Sequence, residues 1–206
     1  MFELGGFAYS ITNDIGLIAF AIAGSYKGIN RKLDILGVSI LGFLTALGGG
    51  ITRDVLANRT PAAFCGYNDI GFTALGILIA LLIYKISSKD LSKSVILKIF
   101  DAVGLAAFAV TGGVVAFNSG FNIAGIIMLS FLTAVGGGMI SDVLSNTTPL
   151  VLKEDFYATC AIIGAIWFYI AIKMGLNGNI VVYSTFCVVF VIRVLAIFFG
   201  WKLPKL

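Results

Sequence analysis

The chain alternates between long apolar windows and short polar breaks. Seven windows stand out, near Phe7–Tyr26, Asp34–Ala57, Asp69–Ile86, Val95–Phe117, Asn122–Leu144, Asp155–Met174 and Asn179–Gly200. Each approaches the ~20 apolar residues that one helical crossing of a bilayer needs. Tyr26, Tyr84 and Trp201 fall at window edges, where amphipathic rings favour the membrane–water interface. The pattern predicts an all-α polytopic membrane protein with seven transmembrane helices.

Composition agrees with this reading. Hydrophobic residues make up 59% of the chain, charged residues 12%, and the mean hydropathy is +1.05. A soluble domain carries about a quarter of its residues charged. The connections between windows leave no room for a separate soluble domain. The N-terminus lacks the basic start and small-residue cleavage site of a signal peptide, so the first span is expected to be retained.

The net charge of +4 does not form a stripe suited to nucleic acid, and no nucleic-acid partner is expected. Lys27, Arg31, Lys32, Lys85, Lys89, Lys93, Lys98, Lys153, Lys202 and Lys205 collect on one side of the predicted membrane. The other side holds Arg59 and Lys173, with Arg53 near the end of a span. The bias predicts an N-terminus outside and a C-terminus in the cytoplasm of the cell membrane. Arg193 lies within the last span and is expected to snorkel toward its end. Anionic lipid headgroups are a secondary expectation for the Lys85–Lys98 cluster.

Internal repetition carries the most information. Phe43-Leu-Thr-Ala-Leu-Gly-Gly-Gly, followed by Asp54-Val-Leu and Thr60-Pro61, returns as Phe131-Leu-Thr-Ala-Val-Gly-Gly-Gly, Asp142-Val-Leu and Thr148-Pro149. Gly16, Phe20 and Gly24 return as Gly104, Phe108 and Gly112 at the same spacing of 88 residues. Coincidence in an apolar chain does not place Gly-Gly-Gly, Asp-Val-Leu and Thr-Pro at one constant spacing. The chain is an internal duplication, with one copy at about 7–86, the other at about 95–174, and an extra helix at about 179–200. Three spans per copy is an odd number, so the copies enter the membrane with opposite polarity, a plan shared by many transporters and some channels.

The glycine triplets Gly48-Gly49-Gly50 and Gly136-Gly137-Gly138 fall near mid-span. Each glycine costs a helix interior up to ~1 kcal/mol relative to alanine, so a bend or an opened turn is expected. An opened turn would free carbonyls near Thr45 and Thr133 as oxygen ligands for a transient monovalent cation. The plainer reading is that the glycines let another helix approach closely. The four acids Asp14, Asp54, Asp101 and Asp142 lie inside predicted spans, each costing at least ~2.5 kcal/mol at mid-depth unless water or a partner is near. Carboxylates toward both mouths would concentrate cations. Structural pairing is the alternative, for instance of Asp101 with Lys98.

Arg53 breaks the repeat, because its counterpart is Ser141. It is expected to pair with an acid on another helix, such as Asp14. Pro61 and Pro149 are expected to end the interrupted helices, and Gly24 with Gly28 forms only a weak GxxxG signal at a span end. Cys65, Cys160 and Cys187 form no CxxC pair, and histidine is absent, so neither a metal site nor a disulfide framework is indicated. An intramembrane enzyme is disfavoured, because no nucleophile–base motif is present. Leucine at Gly49 and Gly137 is expected to abolish flux in a folded protein.

Gly48-Gly49-Gly50-x-x-Arg53-Asp54 with Pro61 and Phe64, and Gly136-Gly137-Gly138-x-x-Ser141-Asp142 with Pro149, resemble the prokaryotic branch of the trimeric intracellular cation (TRIC) channel family. The resemblance covers essentially the whole chain. It implies a homotrimer with a pore in each subunit, bordered by the second and fifth spans, that conducts monovalent cations, chiefly K+, without a cofactor. A secondary transporter of a small solute is the competing expectation, since inverted repeats also build alternating-access carriers.

Overall fold

The computed structural model describes residues 6–86, 95–153 and 156–201. Lys89, Lys93, Asp155, Lys202 and Lys205, used above for topology and span edges, lie outside the described residues. The described chain is helical: α1 Phe7–Asn30, α2 Ile35–Leu56, α3 Ala62–Cys65, α4 Asn68–Ile86, α5 Val95–Asn118, α6 Ile123–Leu144, α7 Leu150–Lys153, α8 Ala158–Lys173 and α9 Gly178–Phe199. Six of the long helices have the length and hydropathy of a membrane span. The remaining apolar one, α8, has 16 residues and begins later than its window suggested. The protein is a multi-pass membrane protein of two inverted three-helix repeats plus a seventh long helix.

The local signals that shape each repeat recur at equivalent positions. Asp34 and Asn122 cap α2 and α6, accepting hydrogen bonds from the amides of Gly37 (2.7 Å) and Gly125 (2.9 Å). Both helices end just before an asparagine in the left-handed region, Asn58 (φ 54°) and Asn146 (φ 52°). That conformation is tolerated by asparagine and closes a helix. The prolines therefore do more than terminate: Pro61 and Pro149 immediately precede the short helices α3 and α7, where a missing N–H costs nothing.

The centre is the crossing of α1 with α5. A Cβ at Gly16 would meet Ala107 and Phe108, and one at Gly104 would meet the ring of Phe20. Phe20 and Phe108 stack edge to face, 5.1 Å apart and at 85°. This reciprocity is a two-fold relation between the repeats. α2 joins α1 where Gly24 lies against Leu41 and Thr45, and a Cβ at Gly28 would stand 2.8 Å from the Val38 Cα. The Gly24/Gly28 signal is thus a true close approach, stronger than its spacing suggested. Tyr26 is buried among Ile22 and Ala80, because α1 runs on to Asn30; it is not an interfacial residue.

Candidate functional site

Between the repeats, α2 crosses α6 at the glycine triplets, and the crossing is built backbone against backbone. A Cβ added at Gly49 would fall on the Thr133 carbonyl oxygen, and one at Gly137 on that of Thr45. Only glycine allows this approach, and it brings each Cα–H toward an opposing carbonyl. The flanking glycines are less constrained. Gly50 would meet only Arg53 at 3.8 Å, and Gly136 only the Gly49 Cα at 3.6 Å.

The opened turn expected at each triplet is not present. α2 and α6 each run through their glycines as one uninterrupted α-helix. The carbonyls of Leu44, Thr45 and Thr133 press on the opposing helix. The Thr45 and Thr133 hydroxyls are fully buried and back-bond to Leu41 (2.7 Å) and Leu129 (2.6 Å). Helix packing at the glycines supplies the contacts that a turn would have forfeited, so the closely packed reading holds in this conformation.

Beyond the crossing, each helix ends in one of the repeated aspartates. Asp54 Oδ2 accepts the amide of Ala62 at 3.0 Å, and Asp142 Oδ2 accepts that of Leu150 at 3.0 Å. These are the first residues of α3 and α7, so each carboxylate ties the end of a long helix to the start of a short one. The Asp-x7 spacing with Thr-Pro inside it encodes this tie, because proline passes the first available donor to the next residue.

The two carboxylates are neutralised differently. Asp54 is gripped by its neighbour Arg53, through Nε to Oδ1 (2.9 Å) and Nη2 to Oδ2 (3.1 Å). Both side chains are almost completely buried, at 3% and 2% exposure. The expected partner on another helix is replaced by the adjacent acid. Where Arg53 has its counterpart Ser141, the cation comes instead from α1: Lys27 Nζ lies 2.8 Å from Asp142 Oδ1 and donates to Ser141 Oγ at 3.2 Å. The Lys27 side chain remains 21% exposed. Ser141 also donates to the Gly138 carbonyl at 3.0 Å.

A second pair of cross-links follows the same symmetry. Asn13 Nδ2 donates to Asp69 Oδ1 at 3.1 Å, and at the equivalent positions Tyr157 OH donates to Asp101 Oδ1 at 3.1 Å. The neighbour of Asn13, Asp14, is half-buried and does not line the cavity beside Asp54; the inward residue is one position earlier. Arg193 does not snorkel outward. It is 3% exposed, its guanidinium centre sits 4.7 Å from the Tyr157 ring centroid, and Nη1 donates to the Phe156 carbonyl at 3.3 Å.

Each end of the crossing opens on a cavity. At the Asp54 end a space of about 10 Å³, room for one water, is bordered by Asn13, Leu47, Gly50, Arg53, Asp54 and Asp69. At the Asp142 end a vestibule of about 330 Å³ is bordered by Lys27, Arg31, Lys98, Lys153 and Arg193 against Asp101 and Asp142. The buried core residues Leu17, Ala46 and Phe108 also border the smaller cavity.

This arrangement has known counterparts. Residues 10–86 and 98–173 match a family model described as Glycine transporter. The chain is 38% identical to the UPF0126 membrane protein YvgT of Bacillus subtilis, over 96% of each chain. A TRIC cation channel, solved to explain conductance, shares 36% identity over 96% of each chain at a TM-score of 0.84. A prokaryotic TRIC channel solved in 0.5 M KCl shares 33% identity over 95% of this chain and 98% of its own, at a TM-score of 0.87. The chain belongs to the TRIC family.

In this TRIC-family protein the structure gathers ten of the repeat residues singled out from sequence into one crossing and its two ends: Gly48–Gly50, Arg53 and Asp54, with Gly136–Gly138, Ser141 and Asp142. It adds Lys27, Asn13, Asp69, Tyr157 and Arg193. Lys27 was absorbed into the topological charge count. Arg193 was read as a residue reaching for the span end, and the other three were legible only through pairing, since Asn13 with Asp69 and Asp101 with Tyr157 stand at the repeat spacing and carry matching polar functions.

Proposed function

We propose that the protein is a monovalent cation channel whose pore runs within each subunit of a homotrimer, and that the conformation described is closed. The observation that carries this reading is the α2–α6 crossing with a tied, cation-neutralised carboxylate at each end. Conduction requires the crossing to part at Gly49 and Gly137. It also requires Lys27 to leave Asp142, linking the vestibule to the small cavity beside Asp54. K+ is the permeant ion we assign, passing with much of its hydration along Ser141, Asp142 and Asp54. The kinship with TRIC cation channels supports the ion class and the trimer. Lys27, Arg31, Lys98 and Lys153 gather at the Asp142 end, which the positive-inside bias assigns to the cytoplasm, with the N-terminus outside.

Purified protein in planar bilayers under a KCl gradient tests this. Unitary currents reversing near the K+ equilibrium potential support the channel, whereas reversal toward that of Cl− overturns it. A carrier of small zwitterions is the second reading. It is favoured by a vestibule that presents both signs of charge and stops at a packed crossing, and by the description of the matching family model. Saturable glycine counterflow in proteoliposomes without unitary events establishes that reading instead.

A further inference from the structure

The two mouths share one plan but differ in fixed charge. At the outer, Asp54, end, the Asp54 carboxylate is fully engaged, by both prongs of Arg53 and by the Ala62 amide. Asp69 borders the same water-sized space, and the side-chain bond it accepts there is from the neutral Asn13 amide. No cation is bonded to Asp69 among the described residues. Arg53 Nη1, itself deeply buried, has no hydrogen-bond partner among the described residues, leaving a donor for a solvent molecule in this space. At the inner end the equivalent cross-link is Asp101–Tyr157, and α9, which lies outside the repeats, lays Arg193 over the Tyr157 ring. Five of the seven charged residues bordering that vestibule are basic.

We propose that Asp69 and Arg193 make the pore electrically asymmetric, so that at low ionic strength inward cation current exceeds outward current. Asp69 concentrates cations at the outer mouth, whereas at the inner one Arg193 offsets the carboxylate of Asp101 within a mostly basic lining, so cations are not enriched there. Fixed charge at a narrow mouth with low-dielectric walls sets the local counter-ion concentration. A voltage that drives cations inward draws on the enriched mouth, and the opposite voltage draws on the unenriched one. The effect belongs to permeation and does not require the latches to differ. It deepens the channel reading and rests on it.

The test is the current–voltage relation of single channels in symmetric KCl, at about 0.01 M and about 1 M, where the screening lengths are about 30 Å and 3 Å. Sidedness is assigned afterwards by the chamber from which an impermeant thiol reagent alters the current through the exposed Cys65. The wild type is expected to pass roughly twofold more current inward than outward at the lower salt, and to become linear at the higher. Asp69→Asn is expected to remove most of the excess by reducing inward current. Arg193→Gln should remove it by raising outward current, and Arg193→Lys should retain it. A linear relation at low salt, or rectification unchanged in Asp69→Asn, overturns the inference while leaving the channel intact, even if Arg193→Gln fails to fold. Absence of unitary current overturns the channel reading and this inference with it.

Discussion

The Asp54 and Asp142 ends of the α2–α6 crossing hold the same carboxylate in the same tie, yet they differ in how it is neutralised. Arg53 grips Asp54 from the next position along the chain, in a fork almost wholly buried. Lys27 reaches Asp142 from another helix, as a single ammonium partly open to the vestibule. Duplication preserved what the backbone needs, a helix end joined to the next short helix, and left the counter-cation free to diverge. A desolvated fork resists separation, because either charge left alone would be stranded. A partly hydrated lysine exchanges its partner for water at smaller cost. The Asp142 end is therefore the movable one.

The largest test of this comparison is at what the two ends share. Gly49→Ala or Gly137→Ala should cost about 3 kcal/mol, because the added methyl meets a carbonyl of the opposing helix and neither backbone can yield. Gly50→Ala should be neutral or stabilise by up to ~1 kcal/mol through helix propensity. Thermal unfolding in detergent reads both. Leucine at Gly49 and Gly137 is then a folding defect and cannot serve as a probe of flux in a folded protein.

Next comes the contrast between the latches. Arg53→Gln should destabilise by about 3 kcal/mol, since it strands a buried carboxylate, whereas Lys27→Gln should cost about 1 kcal/mol. Equal losses in detergent unfolding would erase the distinction drawn between the two ends.

The sequence showed the helices, the repeat and the inverted plan because apolar periodicity and constant spacing are one-dimensional properties. The role of the glycines was not legible in the same way. A triplet weakens an isolated helix, and only the opposing carbonyls of Thr45 and Thr133 explain why the helix stays whole. Lys27 escaped for a related reason. Its place in the chain suits a membrane-flanking charge, and its bond to Asp142 spans 115 residues. Arg193 looked like a residue with a route to the interface, but packing against Tyr157 turns it inward. Tertiary partners decided each of these cases.

The smallest effect expected is at the two threonines. Thr45→Ala and Thr133→Ala each remove one hydroxyl that bonds its own helix, so a loss of about 1 kcal/mol or less is expected, with cation preference unchanged. A shifted reversal potential in either would return the hydroxyls to the permeation path.

The most direct test of a cation pore held closed by its lysine latch is the open probability of Lys27→Gln beside the wild type in the same bilayers. The account predicts channels that open several-fold more often, roughly what loss of about 1 kcal/mol of latch would allow, at unchanged unitary conductance. An open probability equal to that of the wild type in a folded Lys27→Gln protein would contradict it.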